Sequence, residues 1–97
     1  MLTSTATLKR IQTVLHAYLP KEPRYQAFLF GSRVCGRVRE KSDFDIGVMG
    51  EMRLNSIIKE QIENEFMNIP ALIDFVDFHE VNPDFRSQVF EKWIQEL

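Results

Sequence analysis

Apolar side chains recur at three-to-four spacing over residues 5–19, where Leu8, Ile11, Leu15, Tyr18 and Leu19 form one stripe, so this segment is expected to be an amphipathic helix. Thr3, Ser4 and Thr5 can each cap it, and Pro20 and Pro23 end it and form a short linker. Tyr25–Phe30 is a short, aromatic-rich run stopped by Gly31 and reads as a strand. A polar loop over 31–42 follows, with a helical turn expected near Arg33–Cys35. Asp43–Met49 then reads as a second strand, ended by Gly50. The loop is long enough for an antiparallel return, so these two strands are expected to pair. Leu54–Met67 goes back to the helical period: Leu54, Ile57, Ile58, Ile62 and Phe66 make an apolar side, and Lys59, Glu60, Glu63 and Asn64 a polar one. Asn68 and Pro70 close this helix. Ala71–Phe78 is apolar except for Asp74 and Asp77, the pattern of an interior strand covered on both faces. Asn82-Pro83-Asp84 is a helix start, with a cap, a proline at the first helical position and an acid that complements the dipole. Phe85, Val89, Phe90, Trp93, Ile94 and Leu97 continue that last helix to the end of the chain.

The expected order is therefore αβ(α)βαβα, an α+β fold with a small three-stranded mixed sheet and helices packed on it. At 97 residues the chain reads as a single domain, 1–97. Hydrophobic residues are 44% and charged residues 27%, which fits a globular chain rather than a disordered one. The formal charge of -2 argues against general polynucleotide binding. One cysteine, Cys35, leaves no internal disulfide and no cysteine-rich zinc site, and it reads as a packing residue. No apolar run approaches the roughly 18 residues of a membrane span, and the first residues lack the pattern of a signal peptide, so a cytoplasmic location is expected.

The candidate chemistry lies in 30–48. Residues two apart on a strand share a face, so Asp43 and Asp45 point the same way beside the glycine-containing loop. Two carboxylates so close repel each other unless a cation lies between them, and a divalent cation with oxygen ligands, Mg²⁺ with phosphates, satisfies both. Gly31 opens backbone angles denied to other residues and leaves space for a ligand, while Ser32 adds a hydroxyl and an N–H. Together they can hold the terminal phosphates of a nucleoside triphosphate. Arg33, Arg37, Arg39 and Lys41 against Glu40 give the loop a net charge of +3 in an acidic chain. Gly31 and Gly36 have the gap of a P-loop, but Arg37-Val38 follows where Lys-Ser or Lys-Thr is required. A calcium loop opening at Asp43 fails because Gly47 sits where a further ligand is needed. Asp45 lies between Phe44 and Ile46 in an apolar run, and Asp74 raises the same burial cost on the third strand. Shared cations account for these acids together. His16, beside the apolar stripe of the first helix, reads as a half-exposed surface residue, and neither it nor His79, which follows the third strand, has a catalytic partner by spacing.

Gly31-Ser32, then Asp43-Phe44-Asp45 after ten intervening residues, resembles the signature of the nucleotidyltransferase superfamily related to DNA polymerase β. At average residue frequencies the pattern arises by chance on the order of 10⁻³ times in a chain of this length. A third acid in Ile73-Asp74-Phe75-Val76-Asp77 completes it. The length and the order of elements are similar to those of the minimal nucleotidyltransferases, small prokaryotic members of antitoxin type. The resemblance implies the polymerase β palm-like fold and a two-metal mechanism. In it Asp43, Asp45 and Asp74 are the catalytic, metal-binding acids for two Mg²⁺ ions, and Gly31, Ser32 and Arg33 bind the nucleotide phosphates. Asp74 and Asp77, three apart, face opposite sides of a regular strand, so only one joins the site. The family pattern aligns with Asp74, and Asp77 is the alternative.

The resulting expectation is transfer of a nucleoside monophosphate, AMP from ATP, onto a hydroxyl. The resemblance further implies that the acceptor is a tyrosine of a small all-helical toxin-like partner of the HEPN class, with this chain as its antitoxin. The alternative is a binding module that neutralises the partner by occlusion and keeps a vestigial nucleotide site.

Overall fold

The structure, a computed structural model, describes residues 4–31, 44–92 and 94–97. The elements are α1 (Ser4–Tyr18), β1 (Tyr25–Phe30), β2 (Phe44–Gly50), α2 (Ser56–Met67), β3 (Ile73–Asp77), α3 (Pro83–Lys92) and β4 (Ile94–Glu96). The helical turn expected near Arg33–Cys35 lies outside the described residues. The sheet has the order β3-β2-β1-β4, with β1 antiparallel to both β2 and β4, and β2 parallel to β3.

Period-two alternation splits the core into two layers. On one face Ala27 and Leu29 of β1 and Phe44, Ile46 and Val48 of β2 meet Ile11 and Leu15 of α1 and Ile62 and Phe66 of α2. On the other face Phe28 and Phe30 of β1 join Phe78 and Val89 of α3. There Phe78 sits edge-on to both phenylalanines, with centroids 4.8 Å from Phe28 and 5.1 Å from Phe30. Gly47 makes that cluster possible. A Cβ at this position would lie 2.5 Å from Phe28 and 2.8 Å from Phe78, so the aromatic rings occupy the space a side chain would take. β1 is buried toward both layers, which is why its sequence is a nearly continuous apolar run.

Three expectations are corrected. The sheet has four strands rather than three, because the last helix stops at Lys92 and residues 94–96 turn back as β4. The free edge of β1 offers backbone groups that Ile94–Glu96 satisfy, paired Phe30↔Ile94 to Phe28↔Glu96, and the Leu97 N–H donates to the Ala27 carbonyl at 3.0 Å. Leu97 therefore packs with the α1/α2 layer instead of extending α3, whereas Val89 does lie in the α3 layer. The side chains of Phe90, Trp93 and Ile94 lie outside the described residues. Second, α2 begins at Ser56, not Leu54: the Asn55 side chain accepts from the N–H groups of Ile57 (2.8 Å) and Ile58 (3.4 Å) and so fixes the first turn. Leu54 is buried, as its position in the apolar stripe implied, but it precedes the helix. Third, β3 is a terminal strand of the described sheet rather than an interior one, and Asp74 on it is exposed.

Candidate functional site

Register decides which acids come together. Asp45 on β2 and Asp74 on β3 are direct partners in the parallel ladder, and directly opposed residues present their side chains to the same face. That face is the one carrying Phe28, Phe30, Gly47 and Val76, on the α3 side of the sheet. In the antiparallel ladder Asp45 is also the partner of Phe30, so an aromatic ring flanks it on the side away from Asp74. Phe30 was not among the candidates from sequence, although period-two alternation from Phe28 places it on this face.

Gly31 follows directly, with φ +83, a left-handed backbone that glycine adopts without strain. A Cβ there would lie 2.3 Å from Asp45 Oδ2. Asp45 thus rests against the bare backbone of Gly31, and two requirements, the backbone angle and the carboxylate, both exclude a side chain. The acid predicted on β2 and the glycine predicted to cradle phosphate are neighbours in space. Asp45 is half-buried and Asp74 exposed, so the pair opens to solvent from the β3 side.

Asp77 is placed elsewhere. It lies on the α1/α2 side of β3, is 1% exposed, and its carboxylate is engaged by two backbone N–H groups: Leu54 donates to Oδ2 at 2.7 Å and His79 to Oδ1 at 3.0 Å. These bonds tie the end of β3 to the segment that leads into α2. The His79 ring nitrogen Nε2 meets the carbonyl of Gly50, at the end of β2 remote from Asp45. His16 lines a cleft of about 680 Å³ with Arg24, Tyr25, Gly50 and Glu51, at that same remote end. Neither histidine lies beside Asp45 and Asp74. Ser32, Arg33 and Asp43, like Cys35, Arg37, Arg39 and Lys41, fall outside the described residues.

Two tyrosines hold structure around this frame. The Tyr18 hydroxyl donates to Glu65 Oε1 at 3.3 Å; the negative charge of Glu65, followed by burial, raises its pKa above the usual value. The Tyr25 hydroxyl donates to the carbonyls of Met52 (2.9 Å) and Arg53 (3.1 Å), and burial, followed by the charge of Asp77, raises it likewise.

Among the described residues no group of three or more His, Cys, Asp or Glu side chains forms a metal cage. Asp45 and Asp74 supply two carboxylates on one face. Mg²⁺ retains waters and takes one or two carboxylates plus substrate phosphates, so two carboxylates on one face, one of them exposed, fit that cation by donor chemistry.

Comparison with known proteins gives a concordant picture. The family model described as "Polymerase beta, Nucleotidyltransferase" matches residues 9–95. A probable protein adenylyltransferase MntA of Haemophilus influenzae is 26% identical over 86 residues, 87% of this chain and 73% of that protein. A chain in the crystal structure of a toxin–antitoxin with AMP-PNP superposes with TM-score 0.70 at 23% identity, over 91% of this chain and 69% of that one. A chain in the structure of a tri-AMPylated Shewanella oneidensis HEPN toxin in complex with MNT antitoxin superposes with TM-score 0.67 at 19% identity, over 97% of this chain and 71% of that one.

Proposed function

Because the chain belongs to the polymerase beta nucleotidyltransferase family, we propose that it transfers AMP from ATP, with Mg²⁺, to a tyrosine hydroxyl of a HEPN-type toxin and so acts as its antitoxin. The observation that carries this reading is the direct pairing of Asp45 with Asp74 on one face of the sheet, with Gly31 against Asp45. Support for the adenylyl donor comes from the protein adenylyltransferase relative and from the AMP-PNP in the toxin–antitoxin structure. Support for the acceptor comes from the AMPylated HEPN toxin seen with its MNT antitoxin.

Each residue has a distinct task in this reaction. Asp45 and Asp74, with Asp43, would hold Mg²⁺. When bound, the cation lowers the pKa of the acceptor hydroxyl and offsets charge on the leaving pyrophosphate. Asp45 lies on the side toward Gly31, whose missing side chain leaves the space that the Asp45 carboxylate occupies and brings that carboxylate to the start of the loop assigned to the phosphates. Ser32 and Arg33 follow Gly31 in the chain and are assigned to the same phosphates. Asp74, on the terminal strand and exposed, faces the side from which the acceptor hydroxyl arrives. The oxygen of that hydroxyl attacks the α-phosphorus in line while its proton passes to solvent, and the bond from the α-phosphorus to the bridging oxygen breaks, so that pyrophosphate leaves with the bonding electrons.

The test is transfer of label from ATP labelled at the α-phosphate, with Mg²⁺, to a HEPN-type toxin. Label on a tyrosine of that protein, lost in Asp45→Asn and Asp74→Asn, is expected. Undiminished label transfer by both variants would refute the assignment.

A further inference from the structure

The acceptor side of the site has a physical surface of its own. Asp74 sits on β3, and among the described residues no strand lies beyond it. Among the described residues β2, Phe30 and the Gly31 bend lie on the inner side of the acid pair, so the β3 edge is an open approach to the exposed Asp74. Along that edge the surface is apolar where solvent exposure alone would favour polar side chains. Leu72, two residues before Asp74, is 69% exposed, and Met67, the last residue of α2, is 81% exposed. They border a groove of about 380 Å³ between the end of α2 and β3, floored by Phe66 and Phe75, which meet edge-on at 5.6 Å. The charges on its lining are Glu63 and Asp74, both acidic. A groove of this volume takes one or two apolar side chains, and its rim favours a neighbouring cation.

We infer that the protein presenting the acceptor hydroxyl docks against the β3 edge, seating an apolar side chain in the groove between Met67, Leu72, Phe66 and Phe75 while its hydroxyl faces Asp74. The occupant rests on the protein-acceptor reading of the preceding subsection. The location rests on Asp74 itself: it lines the groove at the β3 edge while its ladder position puts it on the α3 side, so a partner segment that crosses the edge meets both the groove and the acid. An anchored apolar residue holds the hydroxyl-bearing segment in place, and the acidic rim repels partners that carry acidic residues at the same position. Docking here therefore sets acceptor specificity separately from nucleotide binding, which lies on the β1/β2 side.

The experiment uses the full chain and the same HEPN-type toxin. Met67→Gln and Leu72→Gln are combined, both at exposed positions and without a change of charge. The control pair is Met52→Gln and Ile57→Gln, exposed by 58% and 66% before and within the first turn of α2, at the end opposite Met67. Calorimetry measures affinity for the partner, and separately for AMP-PNP with Mg²⁺. The expected result is at least tenfold weaker partner binding for the groove pair, with unchanged AMP-PNP affinity and thermal midpoint and wild-type partner binding by the control pair. Partner binding within twofold of wild type for the groove pair, or equal weakening by both pairs, overturns the inference. Intact label transfer alongside undiminished partner binding by the groove pair would sink the docking surface alone. A wild-type chain that binds the partner through the groove yet transfers no label would sink the transfer reading and leave the docking surface standing.

Discussion

Asp74 and Asp77 are separated by two residues on one strand and lie on opposite faces of it, and under the proposed function their variants are expected to separate stability from chemistry. Asp77→Ala removes the acceptor of two backbone N–H groups, those of Leu54 at 2.7 Å and His79 at 3.0 Å. Leu54 is buried, so its N–H cannot turn to water, and leaving it unsatisfied costs about 1–3 kcal/mol. The His79 N–H is partly buried and recovers some hydration, so its loss falls toward the lower end of that range. The sum, roughly 2–4 kcal/mol, is a large part of the ~5–15 kcal/mol available to a domain of this size. Each kcal/mol moves the midpoint by about 4–8 °C in a domain this small, so a fall of at least ~8 °C is expected. Asp77→Asn keeps the shape and one good acceptor, and is expected to fall by about half as much and remain folded. Asp74→Asn touches no buried bond and is expected to leave the midpoint unchanged.

Activity reverses the order. Asp74→Asn is expected to lower label transfer on the order of 10²-fold or more, the scale of losing one contact to charge developing in a transition state. Asp77→Asn, assayed well below its midpoint, is expected to retain transfer per folded molecule within a few-fold of wild type. Circular dichroism against temperature and a single-turnover transfer assay on the same preparations measure both quantities. A folded Asp77→Asn without transfer, paired with a fully active Asp74→Asn, would exchange the two assignments and refute the register argument.

Other substitutions probe the frame. Gly31→Ala, at φ +83 and with its Cβ 2.3 Å from Asp45 Oδ2, is expected to lower stability by about 1–2 kcal/mol and to displace the carboxylate, read as a lower unfolding midpoint together with at least tenfold less transfer. Gly47→Ala drives a methyl to 2.5 Å from the Phe28 ring and is expected to cost about 1–3 kcal/mol in chemical denaturation. Asn55→Ala removes the α2 cap and is expected to cost about 1 kcal/mol in the same measurement. At alkaline pH the two tyrosines act together: their raised pKa values mean that the native chain holds protons the unfolded chain releases near pH 10, so stability is full below about pH 10 and declines as pH rises through the folded values. Tyr18→Phe and Tyr25→Phe are each expected to flatten that decline in midpoints measured between pH 8 and 11; an unchanged slope in both would refute the cause assigned to the shifts.

The helices and the first three strands could be read from the chain because each carries its own period: three-to-four for Ile11 and Leu15 or Ile62 and Phe66, two for Phe44, Ile46 and Val48. β4 was illegible for the converse reason. Val89 and Leu97 fit a helical stripe through the chain end, and only the open edge of β1, a property of the assembled sheet, draws Ile94–Glu96 into strand pairing. The start of α2 turned on one side chain, Asn55, whose capping bonds outweigh the apolar spacing of Leu54. Gly47 gave no local signal, since its role is to leave room for rings that come from β1 and from the end of β3.

The acids show where local reading stops. Spacing on β3 is enough to say that Asp74 and Asp77 face opposite sides, because alternation is a property of one strand. It cannot say which of those sides Asp45 shares, because that depends on how β2 and β3 are paired. Slipping the parallel pairing by one residue would set Asp45 opposite Ile73 or Phe75 and turn the third acid to the other layer. What prevents the slip is apolar: Phe44, Ile46 and Val48 must share a face with Ile73 and Phe75 to bury against α1 and α2. That constraint puts the residues between them, Asp45 and Asp74, on the opposite face as direct partners. The register of the proposed catalytic pair is thus set by hydrophobic neighbours that take no part in its chemistry, and the bonds from Leu54 and His79 to Asp77 fix the end of the same strand.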